Sequence, residues 1–435
     1  EQSEAKGTSY AYSPRGYLLS TTDPEGNTVC FTYDAVGNKL SMTDPRGYTM
    51  WYQYDDLYRV VKGILPDETP EVLSDNPTIT LDYDARGNNT KRIDPVGLET
   101  VWTYSFRNWA ESMTTAGYTV SYSYDLVGNK LAETNSRQKT THYSYDDLNR
   151  LSSMRLPEGN EELYLYDEVG NKTRVLDGRG NRTDYTYSAA DKLLEVTDAK
   201  GQVTRYGYDR LGNQTRTVNA LGQETINTYD ELGRLRSTQD ALGYSGYGYD
   251  AVGNLILSLD SRGTVSHYRY NANNLLLKVE QQNQEQRQYL EYSYDEAGQR
   301  LWASDGKVSL SWAYDPLGNV IAETRNLATG EIYKMEYRYD RAGRLTKVRY
   351  PGDPSWLEYN YNVKGELVSI PGYINLAPVY DEGGYLAIYT TANGITTHHS
   401  RDGNGRLVEI GASAAGPSPV LQLNYTFDQA GNVTR

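Results

Sequence analysis

The chain is short of the residues that most active-site chemistry needs. Its 435 residues include 1 Cys, 4 His, 5 Met and 3 Phe. One cysteine excludes an internal disulfide scaffold, a thiolate zinc site and a CxxC redox pair. Four histidines leave little for imidazole metal clusters. Basic charge is scarce as well: 43 Lys and Arg stand against 57 Asp and Glu, a net charge of −14. That balance lacks the basic footprint of a nucleic-acid binder. It also argues against an anionic membrane surface as the main partner. No apolar run approaches the ~20 residues of a membrane span. No long stretch keeps a 3.6-residue period, so helix is expected to be nearly absent.

What is present is tyrosine and glycine, 42 and 40 residues respectively. The mean hydropathy of −0.71 is low, but disordered chains are poor in aromatics, and here they make up 12%. Tyr and Gly recur with a period near 21 residues. One string reads Y-D-x-x-G-N and appears as Tyr33-Asp34-Ala35-Val36-Gly37-Asn38 and Tyr83-Asp84-Ala85-Arg86-Gly87-Asn88. It returns as Tyr124-Asp125-Leu126-Val127-Gly128-Asn129 and Tyr166-Asp167-Glu168-Val169-Gly170-Asn171. Further copies are Tyr208-Asp209-Arg210-Leu211-Gly212-Asn213, Tyr249-Asp250-Ala251-Val252-Gly253-Asn254 and Tyr314-Asp315-Pro316-Leu317-Gly318-Asn319. Weaker copies include those at Tyr54, Tyr145, Tyr187, Tyr229, Tyr270 and Tyr339. Half a period away lies a second D-x-x-G string, as in Asp23-Pro24-Glu25-Gly26, Asp44-Pro45-Arg46-Gly47 and Asp177-Gly178-Arg179-Gly180.

Both strings match the preferences of a type I turn, with Asp first and Gly fourth. A left-handed fourth residue makes the turn-plus-bulge of a common hairpin loop. Pro14, Pro24, Pro45, Pro95, Pro157 and Pro316 all fall at the second turn position, where a fixed φ helps. The segments between turns are rich in Tyr, Thr, Val and Leu and have ordinary strand length. Each unit therefore reads strand, turn, strand, turn. About twenty units predict an all-β antiparallel meander of about 40 short strands. Recurrence of one position in successive units places Tyr near Tyr, so aromatic ladders across the sheet are expected.

The Y-D-x-x-G-N string, its period and the interleaved D-x-x-G turn resemble the YD repeats of the rearrangement-hot-spot (Rhs) family. That family includes bacterial polymorphic toxins, the B and C components of insecticidal toxin complexes, wall-associated proteins and the teneurins. The resemblance covers essentially the whole chain. It implies a β-sheet strip coiled into a spiral or partial hollow shell around a toxin polypeptide or an internal core. Residues 1–435 read as one continuous array that decays at about 370–420. The family's D-P-x-G-rich core motif is not found after Gly411, nor is an N-terminal plug. The array opens and closes in mid-repeat, so the expectation is a fragment of a larger protein. Forty strands at ~4.8 Å make a strip about 190 Å long and about 20 Å wide. A cavity of order 10⁴ Å³ would follow, so the expectation is an open coil rather than a closed container.

Sharper chemistry finds little footing. One turn carboxylate supplies too few oxygens for calcium unless turns converge, so the repeated aspartates read as caps on turn amides. His398 and His399 are adjacent on a strand and point to opposite faces, so no shared metal is expected. Cys30 reads as a small buried thiol. No acid pair stands out for glycoside hydrolysis. The Asn-x-Thr sequons, such as those at Asn88, Asn171 and Asn213, arise from the repeat itself. Insertions at 65–70, 281–288, 350–356 and 411–419 read as rim loops.

The expected function is a structural shell segment that encapsulates or presents a C-terminal toxin polypeptide, with no catalysis and no cofactor. The alternative is a teneurin-like or wall-associated recognition module binding glycans or a cell-surface receptor through its tyrosines. Partners are then the cargo, the rest of the parent shell, or such ligands, with neither nucleic acid nor membrane insertion. The resemblance implies a secreted or cell-surface location, bacterial in source. The residues carrying the repeat are Tyr, Asp, Gly and Asn of the seven full motif copies quoted above.

Overall fold

The computed structural model describes residues 7–69, 74–283, 286–414 and 419–434. Expectations at Glu4–Lys6, at Pro70, and at the centres of the 281–288 and 411–419 segments fall outside that range. Among the described residues there are 40 strands and no helix. The repeat explains how each strand begins and stops. Strands β1 (Ser9–Tyr12), β2 (Leu18–Thr22), β3 (Thr28–Tyr33) and β4 (Lys39–Thr43) show the pattern. In the turn between β2 and β3, Gly26 N–H donates to Asp23 O, and Asp23 N–H to Asn27 O. The turn between β3 and β4 repeats this with Gly37, Asp34 and Asn38.

Successive strands pair antiparallel, for example Ser20 with Cys30 and Cys30 with Thr43. At the motif tyrosine the register slips, between Thr32 and Tyr33 here and again at Tyr124, Tyr166, Tyr208 and Tyr314. Such a slip is a β-bulge, which adds local twist and bends the strand. The first 33 strands form one sheet. Asn360–Tyr361 and Leu367–Ser369 form a two-stranded sheet, and the five strands from Val379–Tyr380 to Pro419–Asn424 form a third. The turns persist where the sequence pattern decays, with Gly384 N–H donating to Asp381 O and Gly405 N–H to Asp402 O.

Side chains alternate along the strands, as in Glu161–Tyr166, where exposed and half-buried positions take turns. Little is fully buried. Among the described residues, the aliphatic side chains below about a tenth exposure are Ile64, Val279, Val348 and Ala412. The accessible surface is 26584 Å², whereas a filled globule of this mass exposes about 17,000 Å². Stability therefore comes from ladders and turn caps more than from a dry core. By contact density the chain divides into two units, each built from two segments: Glu1–Thr100 with Tyr247–Gly365, and Val101–Gly246 with Glu366–Arg435.

Three expectations need correction. Cys30 is exposed, because it lies on the outward phase of β3. Gly411 is not in a loose insertion but buried in the strand Leu407–Ser413, opposite His398. The tyrosine ladder is replaced by a different device, described next.

Candidate functional site

The seven motif aspartates cap their own turns. Asp34 Oδ1 accepts from the amides of Val36, Gly37 and Asn38 at 3.0, 2.7 and 2.8 Å. Its Oδ2 accepts from Asn38 Nδ2 at 2.8 Å. The Asn side chain reaches back in the same way to Asp84, Asp125, Asp167, Asp209, Asp250 and Asp315. Gly37, Gly87, Gly128, Gly170, Gly212, Gly253 and Gly318 close the turns with φ between +87° and +105°. These bonds favour the ionised carboxylate. Chiefly through the Asn88 and Asn213 side chains, Asp84 and Asp209 sit below their ordinary pKa of 3.8. At Asp34, Asp125, Asp167 and Asp250 desolvation pushes upward, and the turn bonds outweigh it, leaving each pKa lowered. A carboxylate so fully occupied is a structural cap rather than a metal ligand or an acid–base group.

The motif tyrosines explain why this chain uses Tyr and not Phe. Tyr166 donates its hydroxyl to Leu151 O at 2.9 Å, Tyr208 to Leu193 O at 2.9 Å, and Tyr83 to Val60 O at 2.9 Å. Tyr314 reaches Arg300 O at 2.7 Å. The acceptor is the carbonyl of the residue paired with the preceding repeat's tyrosine at its bulge, Leu151, Leu193, Val60 and Arg300 opposite Tyr145, Tyr187, Tyr54 and Tyr294. These four repeats are thus each tied to the one before. Ring stacking is the exception: Tyr33 stacks on Tyr17 with centroids 5.2 Å apart, and Tyr124 packs on Trp109 at 5.5 Å. Tyr249 ends the strand Gly243–Tyr249 before its own turn.

The sequence reading missed an arginine form of the motif. In it Arg replaces Asn, and Arg59, Arg150, Arg234, Arg344 and Arg406 fork onto the turn aspartate four residues earlier. Arg59 and Arg150 also lie over the next motif tyrosines, Tyr83 and Tyr166, at 4.8 and 4.7 Å. Its signal was visible as Y-D-x-L-x-R at 54–59, 145–150 and 229–234.

The remaining histidines go separate ways. His398 Nε2 lies 3.3 Å from Glu409 Oε1, while His399 stacks on Tyr389 at 6.1 Å.

The least expected feature is a seam. In each unit, turns on the D-x-x-G edge of the first segment meet YD-type turns of the second, 244 to 270 residues later, although in the second unit the docked turns at 135–138 and 156–159 depart from the D-x-x-G string. In the first unit Arg46 donates to Gln299 Oε1 at 2.7 Å and to Pro316 O at 3.2 Å. There Asn273 also binds Asp23, and the Ala272 amide binds Glu25. In the second unit Glu158 accepts from Gly403 N–H at 2.7 Å, and its own amide donates to Asn404 Oδ1 at 3.0 Å. Arg179 reaches Asp428 Oδ2 at 3.1 Å. Tyr118 donates to Glu366, and that bond, with burial, pushes the phenol up to about 12. A Cβ at Gly178 would overlap the Gln429 carbonyl oxygen. The second turn position, usually Pro or Ala, is Gly here because another backbone touches it.

Comparison with known proteins agrees with this geometry. The RHS Repeat model matches residues 124–161, 166–202, 187–224 and 229–265. The Teneurin YD-shell model matches residues 303–435. Together the two cover more than half of the chain. No curated protein matches by sequence. Among solved structures, the Photorhabdus luminescens Tc holotoxin pore with a mutated TccC3 aligns at TM-score 0.76 and 15% identity, over 96% of this chain and 26% of that one. The TcdB2-TccC3-TEV structure aligns at TM-score 0.59 and 15% identity, over 98% and 24%. TcdB2-TccC3 without its hypervariable C-terminal region aligns at 0.54 and 12% identity, over 98% and 32%. The chain thus spans a quarter to a third of these neighbours. With the repeat, the capped turns and the meander all in place, the chain is a member of the Rhs/YD-repeat family.

Proposed function

We propose that this chain is a wall segment of a YD-repeat shell that encloses or presents a toxin polypeptide outside the cell that makes it. The observation that carries the reading is the seam. A strip whose opposite edges meet after about 250 residues is a strip that coils. At about 21 residues per repeat that is about twelve repeats, or about 115 Å of strip per return. The Tc structures supply the fold analogy, and one of them names a hypervariable C-terminal region. The role asks no chemistry of the wall, whose motif aspartates are spent on caps.

Small-angle scattering tests the coil. A filled globule of this length has a radius of gyration of about 22 Å, and a coiled strip exceeds it. A value at the globule limit would overturn the proposal. Cargo is tested by fusing an unfolded polypeptide to the C-terminus and digesting with protease. Protection of the fused segment is expected, and cleavage as fast as the free polypeptide counts against enclosure. The glycan-binding alternative lacks a specific observation in its favour, because motif hydroxyls such as that of Tyr208 are engaged with backbone carbonyls.

A further inference from the structure

Within the second unit's seam, two arginines stand where the repeat has something else. Arg401 takes the place of the motif tyrosine in Arg401-Asp402-Gly403-Asn404-Gly405-Arg406. In every other YD-type turn from Tyr12 to Phe427 that position is aromatic. Arg137 is third in Asn135-Ser136-Arg137-Gln138, a turn whose leading Asp is replaced by Asn. The two departures meet, with Arg137 Nη2 donating to Arg401 O at 3.3 Å. Both side chains border Tyr385. The Arg401 guanidinium lies 4.6 Å from the centre of its ring. A Cβ at Gly383 would sit 2.8 Å from Arg137 Cδ and 3.0 Å from the Tyr385 ring.

Charge at this place is out of balance. Elsewhere an arginine third in its turn folds back on the leading aspartate: Arg46 on Asp44 at 2.7 Å, Arg179 on Asp177 at 3.3 Å and Arg262 on Asp260 at 3.2 Å. Asn135 offers Arg137 no such carboxylate, and its ion-pair contact across the seam, to Asp381, is 4.0 Å long. Arg401 adjoins Asp402, but that carboxylate is held by Arg406. Arg401 instead donates Nη1 to Gly405 O at 3.1 Å. Among the described residues, Arg137 Nη1 and Arg401 Nε are buried and have no hydrogen-bond partner. Buried donors are nearly always satisfied, and a buried charge is costly unless it is paired. Water would serve the N–H groups and leave both positive charges uncompensated.

We propose that the Arg137–Arg401 cluster binds a small oxyanion of the size and charge of inorganic phosphate. Guanidinium forks match oxyanions in geometry as well as charge. The free donors are buried, so the site suits a free ion and not a phosphate carried on a lipid or a nucleic acid. The bound ion ties the turn at 135–138 to the strand Thr396–Arg401 and acts as a latch on the seam. The inference does not depend on any cargo.

The test is calorimetric titration of inorganic phosphate into the full chain, in chloride buffer at neutral pH and constant ionic strength. Saturable binding at one site is expected, with sulfate competing. Asn135→Asp gives Arg137 the carboxylate that the other turns supply and keeps the cap, since Asn135 Oδ1 already accepts from the Arg137 and Lys139 amides. It should weaken phosphate binding about tenfold or more without loss of the melting midpoint. Arg401→Tyr restores the motif residue and should do the same. Arg179→Gln, at a neighbouring seam contact where Asp177 and Asp428 already pair the guanidinium, should leave the affinity unchanged. Absence of saturable binding by the wild-type chain would overturn the proposal, as would an affinity that Asn135→Asp leaves intact or that Arg179→Gln lowers equally.

Discussion

Two glycines separate what backbone geometry demands from what neighbours demand. Gly128 sits at φ +103°, and a Cβ there would lie 3.1 Å from the Trp109 ring. Gly128→Val should destabilise by more than about 1 kcal/mol, since a β-branched residue is costly at positive φ. An unchanged chemical-denaturation midpoint would refute the turn geometry. Gly411 reads in sequence as part of a tolerant insertion, yet a Cβ there would overlap the His398 ring. Gly411→Val is therefore expected to cost at least as much, and a smaller loss than at Gly128 would show that His398 swings aside. The tyrosine hydroxyl is a third residue-scale claim. Tyr187 donates to Lys172 O at 3.0 Å, so Tyr187→Phe should lose about 1 kcal/mol. Stability equal to wild type would mean that the ring alone matters. The sequence showed that Tyr recurs but not why, because its acceptor lies on a neighbouring hairpin.

At the scale of the turn, the unit is a carboxylate clamped by its own loop, and that makes a pH prediction. Asp55, Asp146 and Asp230 are held below the ordinary 3.8, chiefly by the backbone amides of Arg59, Arg150 and Arg234. A lowered folded pKa means that the native state binds fewer protons than the unfolded chain in that range. The stabilisation is therefore whole above pH 3.8 and is lost as pH falls through the lower folded values. Melting midpoints should hold toward mild acid and then fall steeply below about pH 4. A flat profile below that point would separate the caps from stability. Position and residue type of these turns were legible because Asp, Gly and Pro act through local backbone geometry. The arginine form was legible only as a pattern, since its value depends on an aromatic ring in the next repeat.

At the scale of each unit, the seam decides which edge of the strip is covered. Gly178 offers a clean probe, because its φ is not in the left-handed region and alanine strains nothing there except the contact with Gln429. Gly178→Ala should loosen the turn at 428–431 against the D-x-x-G edge, seen as faster hydrogen exchange and easier proteolysis there. Gly63→Ala, where a Cβ meets no neighbour, should leave that exchange unchanged, and equal behaviour of the two variants would dissolve the seam as a specific contact. The amino-acid sequence by itself determined the strands, the turns and their alternation. Those rest on contacts between residues a few places apart, where spacing carries the information. Which turn edges meet, which glycines must stay glycine and which leucines are left facing water were decided only by tertiary structure. The partners in those contacts lie about 250 residues away, and contacts at that separation depend on small twists added strand by strand, which no single repeat encodes.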